Sequence, residues 1–138
     1  MDKISKAVRS RIMASVRNKH TRPEVLVRYK LHNAGFRYSL HSRHLPGEPD
    51  IVLSRFRIAV FVHGCFWHGH DCRRGKRPQT RTEFWDAKLD RNLARDQSAT
   101  EQLAAMGWRV EVIWECSWEA QVDELISILK QLRLARSP

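Results

Sequence analysis

Ten consecutive residues, His63-Gly64-Cys65-Phe66-Trp67-His68-Gly69-His70-Asp71-Cys72, hold three histidines, two cysteines, an acid and two large aromatic rings. Side chains of these types serve three different chemistries. Thiolates and imidazoles bind a borderline-soft metal ion, histidines move protons near neutral pH, and flat rings stack on or between bases. Cys65, His70 and Cys72 fall in one short loop, and Cys116, the remaining cysteine of the three in the chain, can complete a tetrahedron. Such a four-ligand site is closed and structural, and zinc in it can contribute roughly 10 kcal/mol or more to folding. The simpler alternative is a set of small buried thiols.

If zinc takes His70, then His63 and His68 remain for proton transfer. Asp50 opens the apolar run Ile51-Val52-Leu53, a turn follows through Ser54 to Arg57, and Ile58 to Val62 forms a second run ending at His63. Paired as a hairpin, these runs bring Asp50 beside the end of the second strand. A carboxylate there can hold Mg²⁺ against a phosphate. The backbone carbonyl of Val62 suits a second hard ligand, because Mg²⁺ takes few protein ligands and keeps several waters. Asp96, on the inward face of a later helix, can orient one imidazole. Ordinary roles compete with all of these: Asp50 can cap a turn beside Pro49, and a lone histidine is more often a core or surface residue. Phe66 and Trp67 are more often core than wedge, yet their place beside histidines and before an arginine-rich segment suits base stacking.

The surrounding elements follow from periodicity. Ile4, Val8, Ile12 and Val16 recur among lysines and arginines, a basic amphipathic helix with Met13 beside its apolar edge that could lie on DNA. Thr21-Arg22-Pro23-Glu24 fits a capping box with Glu24 as the N3 residue, and Gly35 closes a helix carrying Leu26 and Tyr29 on one side. Phe36, Tyr38 and Leu40 alternate as a short strand, and His41 to Pro49 reads as a loop. Residues 73–82, basic and broken by Gly75 and Pro78, read as a phosphate-contacting or disordered loop. Thr82 then caps a long helix with Trp85, Leu89, Leu93, Asp96, Thr100 and Leu103 along one face and Gly107 at its end. Lys88 and Asn92, four apart, share a face of that helix and could reach one ligand. Trp108, Val110, Val112 and Trp114 mark a half-buried strand, and Val122, Leu125, Ile126, Leu129 and Leu132 a covering helix. The order implies an α/β domain with a central mixed β-sheet flanked by helices. A single domain over 1–138 is expected, with an N-terminal helical arm over 1–19 and a core over 20–134.

Lysine and arginine number 25 against 15 acids, a net charge of +10 that points to a polyanion: nucleic acid, an anionic membrane, or no more than a basic surface. No apolar run approaches the ~18 residues of a membrane span, and the charged start lacks the apolar stretch of a signal peptide. Reduced cysteines in metal-like spacing agree with a bacterial cytoplasmic location.

Four ordered motifs carry a further reading. Leu45-Pro46-Gly47-Glu48-Pro49-Asp50, Val62-His63-Gly64-Cys65-Phe66-Trp67-His68, Thr80-Arg81-Thr82-Glu83-Phe84-Trp85 and Gly107-Trp108-Arg109-Val110 through Trp114-Glu115-Cys116 resemble the very short patch repair (Vsr) endonucleases. These are mismatch-specific DNA nickases with the restriction-endonuclease-like fold. The resemblance implies that Asp50 and the Val62 carbonyl hold Mg²⁺, that Glu24 lies near its water shell, and that His63 and His68 are catalytic with support from Asp96. It places structural zinc on Cys65, His70, Cys72 and Cys116. Phe66, Trp67 and Trp85 would enter DNA from the major groove, Met13 from the minor groove, and Lys88 and Asn92 would read the mismatch. The implied activity is a monomeric Mg²⁺-dependent nick 5′ to the thymine of a T:G mismatch left by deamination of 5-methylcytosine. Other mismatch-repair proteins are further candidate partners. Val62 stands where the family has a threonine, and Gly69 and Asp71 interrupt a histidine run. The alternatives are a restriction-type enzyme cutting both strands and a non-catalytic zinc-stabilised DNA-binding module.

Overall fold

The protein is described by a computed structural model over residues 21–136. The expected arm over 1–19, with Met13, lies outside the described residues. Helix α1 spans Arg22–Asn33, with Pro in its first turn and Thr21 extended as the N-cap. Thr21 makes no side-chain capping hydrogen bond, and Glu24 is turned into the molecule, so the expected capping box does not form. The buried face is correspondingly Glu24, Val27 and Leu31, and Tyr29 is 63% exposed instead of covering the core. At the C-terminus, Gly35 N–H donates to the His32 carbonyl and Phe36 N–H to that of Leu31, the paired closure that a left-handed glycine permits.

Strand β1 is only Ser39–Leu40, shorter than the alternation of Phe36, Tyr38 and Leu40 implies. Phe36 instead sits in the core with its ring edge-on to Phe56. The hairpin forms as expected: β2 (Ile51–Leu53) and β3 (Ile58–His63) are antiparallel, with Ile51 opposite Val60 and Leu53 opposite Ile58. A 3₁₀ turn over Ser54–Phe56 joins them, and Arg57 closes it in the left-handed region. Helix α2 spans Thr82–Ala105, strand β4 Arg109–Trp114 and helix α3 Trp118–Arg136. Strand β4 pairs parallel to β3, so the sheet is mixed, in the order β1-β2-β3-β4.

Alternation along β3 assigns its two faces. Ile58 and Val60 join Val27 and Leu31 of α1, Ile113 of β4, and Val122, Leu125 and Leu129 of α3 in the larger core. Ala59 and Phe61 point the other way, onto Leu103 of α2 with Leu45, Val110 and Val112 around them. Helices thus flank a four-stranded sheet. Helix α2 starts one residue earlier than a Thr82 cap implies, since Thr82 is its first residue and its N-cap is Arg81. Its buried stripe is Leu89, Asn92, Ala99 and Leu103, whereas Leu93 and Thr100 are exposed. The basic 73–82 segment contains a 3₁₀ turn over Arg73–Gly75 and is braced to α2 by Arg77, which bonds Asp86 at 3.0 Å and Asp90 at 2.7 Å. Among the described residues, no helix is long and apolar enough to cross a membrane.

The loop ahead of Asp50 rests directly on α2. Gly47 has φ +76, and a Cβ there would lie 2.6 Å from the Ala99 Cβ and 3.1 Å from the Phe61 ring. Gly47→Ala should therefore cost about 1–3 kcal/mol through backbone strain and overpacking. Urea denaturation should show it as a lower midpoint at unchanged slope. An unchanged midpoint would mean that the loop does not rest on α2.

Candidate active site

The chemistry-bearing residues gather at the C-terminal end of β3. Because β2 runs antiparallel to β3, the residue that precedes β2 lies beside the end of β3. Val62 N–H donates to Asp50 Oδ2 at 2.7 Å. The N–H and C=O of one strand residue project to the same side, so the Val62 carbonyl faces the Asp50 side as well. Glu24 arrives from α1 with 1% of its surface exposed. Both of its carboxylate oxygens lie 3.0 Å from His41 Nε2, and Arg28 Nη1 donates to Oε2 at 3.1 Å. One ligand atom from each of Glu24, His41 and Asp50 falls within 4.8 Å of the others.

Burial is the main cause that pushes the Asp50 carboxyl up to about 6, and the Glu24 charge adds to it while the Val62 N–H pulls the other way. Two neighbouring acids with a strand carbonyl nearby are hard oxygen donors, a set that fits a small divalent cation.

The loop after β3 folds back on itself through His68 N–H to the Gly64 carbonyl and His70 N–H to that of Cys65. The rings of His63 and His68 consequently stack, 3.7 Å apart and 4° from parallel. His68 Nδ1 lies 2.6 Å from Asp96 Oδ2 on α2. Burial first, and the His68 charge second, lower His63 to about 4. His63 is therefore neutral at pH 7, and its buried Nδ1 has no hydrogen-bond partner among the described residues.

Beneath this pair, the ligand atoms of Cys65, His70, Cys72 and Cys116 lie within 4.8 Å of one another, with Cys116 Sγ 3.6 Å from His70 Nδ1. Burial, then hydrogen bonds with Cys72 and Cys116, push the Cys65 thiol up to about 12. Burial also acts upward on Cys72, but hydrogen bonds from His70, Cys65 and the Gly75 and Arg74 backbone outweigh it and bring the thiol down to about 7. The four side chains could hold a metal ion, and their soft donors differ from the oxygens around Asp50. Gly75 makes the close packing feasible, since a Cβ there would fall 1.9 Å from the His70 carbonyl oxygen. Glu115 Oε1 accepts from Cys65 N–H at 3.2 Å.

An open cleft of about 1000 Å³ joins Asp50 to the histidine pair. Asp50, Val62, His63, His68, Asp96, Phe66, Trp67, Lys88 and Asn92 all line it. Trp85 packs behind, 5.4 Å from Phe66 and 6.0 Å from Trp67, and Lys88 Nζ stands 5.6 Å over the Trp67 ring. Asn92 is 9% exposed and its amide is engaged at both ends: Nδ2 donates to the Trp67 carbonyl at 3.0 Å, and Oδ1 accepts from Arg95. Sequence reasoning missed His41, Arg95 and Glu115. His41 sits in a segment legible only as a loop, and the other two are ordinary surface types on helical or turn positions.

The opposite shifts of Asp50 and His63 give a sign-specific pH test. Folded Asp50 takes up its proton near pH 6 and the unfolded chain near 3.8, so acidification through that window favours the folded state. His63 does the reverse, since the unfolded chain protonates near 6.5 and the folded chain near 4. Asp50→Asn removes the compensating group. Without added divalent cation, its Tm should fall more steeply than the parent's as pH drops from about 6 to 4. Parallel profiles would mean that Asp50 keeps an ordinary carboxylate pKa.

Comparison with known proteins identifies the family. The family model of the DNA mismatch endonuclease Vsr matches residues 1–74. The type II nicking enzyme V.XorIIP of Xanthomonas oryzae pv. oryzae is 51% identical over 137 residues, covering 99% of this chain and 98% of that protein. The DNA mismatch endonuclease Vsr of Escherichia coli is 40% identical over 112 residues, covering 81% of this chain and 72% of its own. With this likeness running along nearly the whole chain, the protein belongs to the Vsr family of DNA mismatch endonucleases.

Proposed function

We propose that this chain is a monomeric, Mg²⁺-dependent endonuclease of the bacterial cytoplasm, with a restriction-endonuclease-like fold forming one domain over 1–138. It nicks one strand of duplex DNA 5′ to the thymine of a T:G mismatch and so starts very short patch repair. The observation that carries this reading is the meeting of Asp50 and Val62 with the stacked His63–His68 pair at one strand end, in the same cleft as Phe66 and Trp67. Asp50 and the Val62 carbonyl are the proposed Mg²⁺ ligands, and Glu24, behind Asp50, faces the ion's water shell. Bound there, the cation supplies charge stabilisation to the phosphate as it is attacked.

The protein's own groups do the rest. His63 and His68 exchange protons with the attacking water and the leaving oxygen. Asp96 holds His68 Nδ1, which fixes its tautomer and leaves Nε2 as the exchanging nitrogen. Phe66, Trp67 and Trp85, already packed edge to face, form a preassembled wedge for the major groove. Lys88 and Asn92 flank that wedge as readers of the mismatch, and the net charge of +10 serves the phosphates. For Asn92 to reach a base, its bond to the Trp67 carbonyl must be exchanged for one to DNA. Structural zinc is assigned to Cys65, His70, Cys72 and Cys116, whose spacing of ligand atoms suits tetrahedral sulfur and nitrogen ligation.

On a duplex with one T:G pair, the protein should give a single-strand nick that depends on Mg²⁺. Asp50→Ala should reduce the rate to below about one hundredth of the parent's, the scale expected for losing stabilisation at the reacting phosphate, with binding retained. Equal cutting of matched duplex, or cleavage of both strands, would reject the reading in favour of a restriction-type enzyme. Metal analysis should find about one zinc per chain, lost together with the fold in Cys72→Ser or Cys116→Ser. A metal-free preparation that remains folded would remove zinc from the account.

A further inference from the structure

Glu24 carries a carboxylate that is almost fully buried on the first turns of α1, close to a second acid that repels it. Something must hold it there. Arg28, one helical turn along on the same helix, donates to Oε2 at 3.1 Å from a partly exposed position. His41 reaches both oxygens, at 3.0 Å each. The same residue also fixes the neighbouring acid from the backbone, since His41 N–H donates to the Asp50 carbonyl at 3.0 Å. It does this just past the end of β1 in a left-handed conformation, φ 49, that a residue with a Cβ adopts at a cost. That backbone turn carries the ring off the strand line and across to α1.

We propose that His41 is a positioning residue of the cation site: it ties the Glu24 carboxylate of α1 to the Asp50 strand, so that the buried acid faces the hydration shell of the bound divalent cation. The inference rests on the reading of Asp50 as the cation's carboxylate ligand. His41 Nε2 acts as a donor to Glu24 and so works through that acid. Direct ligation by Nε2 would require the same nitrogen to give up its proton and its bond to Glu24. The role belongs to a loop histidine that none of the recognised motifs contains.

The test uses the full-length chain on a T:G duplex, with Mn²⁺ in place of Mg²⁺ so that free cation can be read by electron paramagnetic resonance after subtraction of the duplex alone. His41→Ala should need about tenfold more Mn²⁺ for half-saturation, the usual scale for losing a group that orients a metal's surroundings. Half-maximal nicking should shift to higher Mg²⁺ in parallel, with a smaller loss at saturating cation. His41→Gln keeps an amide that can donate to Glu24 and should recover most of the affinity. His41→Met, of similar length without a donor, should not. Equal affinity of the Gln and Met variants overturns the proposal, and that comparison decides the matter even where His41→Ala fails to fold. Asp50→Ala separates the two levels of inference. If it binds Mn²⁺ as the parent does, the cation-site reading itself falls; if it loses the ion while His41→Met retains it, only the role of His41 falls.

Discussion

The register between β2 and β3 is the constraint on which the site depends. With Ile51 opposite Val60 and Leu53 opposite Ile58, the chain just before β2 comes alongside Val62, and the Asp50 carboxylate meets the Val62 N–H. A slip of one residue would turn every side chain of β3 to the opposite face. Ala59 and Phe61 would then enter the space filled by Ile58 and Val60, and His63 would leave the face on which it stacks with His68. The apolar fit of both sheet faces therefore also fixes the distance between acid and imidazole. Helix α1 enters the same arrangement by burying Glu24 in line with Val27 and Leu31, so one helix stripe serves both the core and the site.

Within the loop after β3, successive residues turn to different tasks because its backbone is tightly folded on itself. Cys65 and His70, linked through their backbones, point to the sulfur-rich cluster, while His63 and His68 stack on the cleft side and Phe66 and Trp67 pack with Trp85. Trp114 separates these levels: its ring stacks on His70 at 4.1 Å and meets His63 edge-on at 5.2 Å. Rigid neighbours of this kind hold flat side chains in one orientation, which preorganises a site more firmly than a loop alone could. Exposed ion pairs from Arg77 add little energy individually, but two of them fasten the basic segment against α2.

The hairpin, the long helices and the cysteine–histidine cluster were legible in the sequence because each rests on local pattern: two apolar runs broken at Ser54, stripes at helical spacing, ligands on one short loop. The family motifs supplied the likeness that comparison bears out. What stayed hidden is tertiary. Thr21 to Glu24 has the letters of a capping box, yet a donor far along the chain, His41, draws the carboxylate inward instead. Leu93 fits the apolar stripe of α2, but the buried position goes to Asn92, whose amide is satisfied by the Trp67 carbonyl and Arg95. Short strand β1 ends where His41 takes its left-handed turn, a choice that alternation of Phe36, Tyr38 and Leu40 cannot encode.

The parallel pairing of β3 with β4 closes a long excursion of chain. Everything from the cysteine loop through α2 lies between two strands that zip from Ile58 with Arg109 to His63 with Trp114. Closure brings Cys65 to Glu115, fifty residues away, and delivers Cys116 to its cluster. Contacts of such separation form only after the entropy of a large loop has been overcome. A nascent or partly unfolded chain thus lacks the Trp114 wall beside His63 and has an incomplete set of cluster ligands. For a member of a DNA endonuclease family, that order of assembly is a safeguard: the complete cleft exists only in molecules that have finished folding.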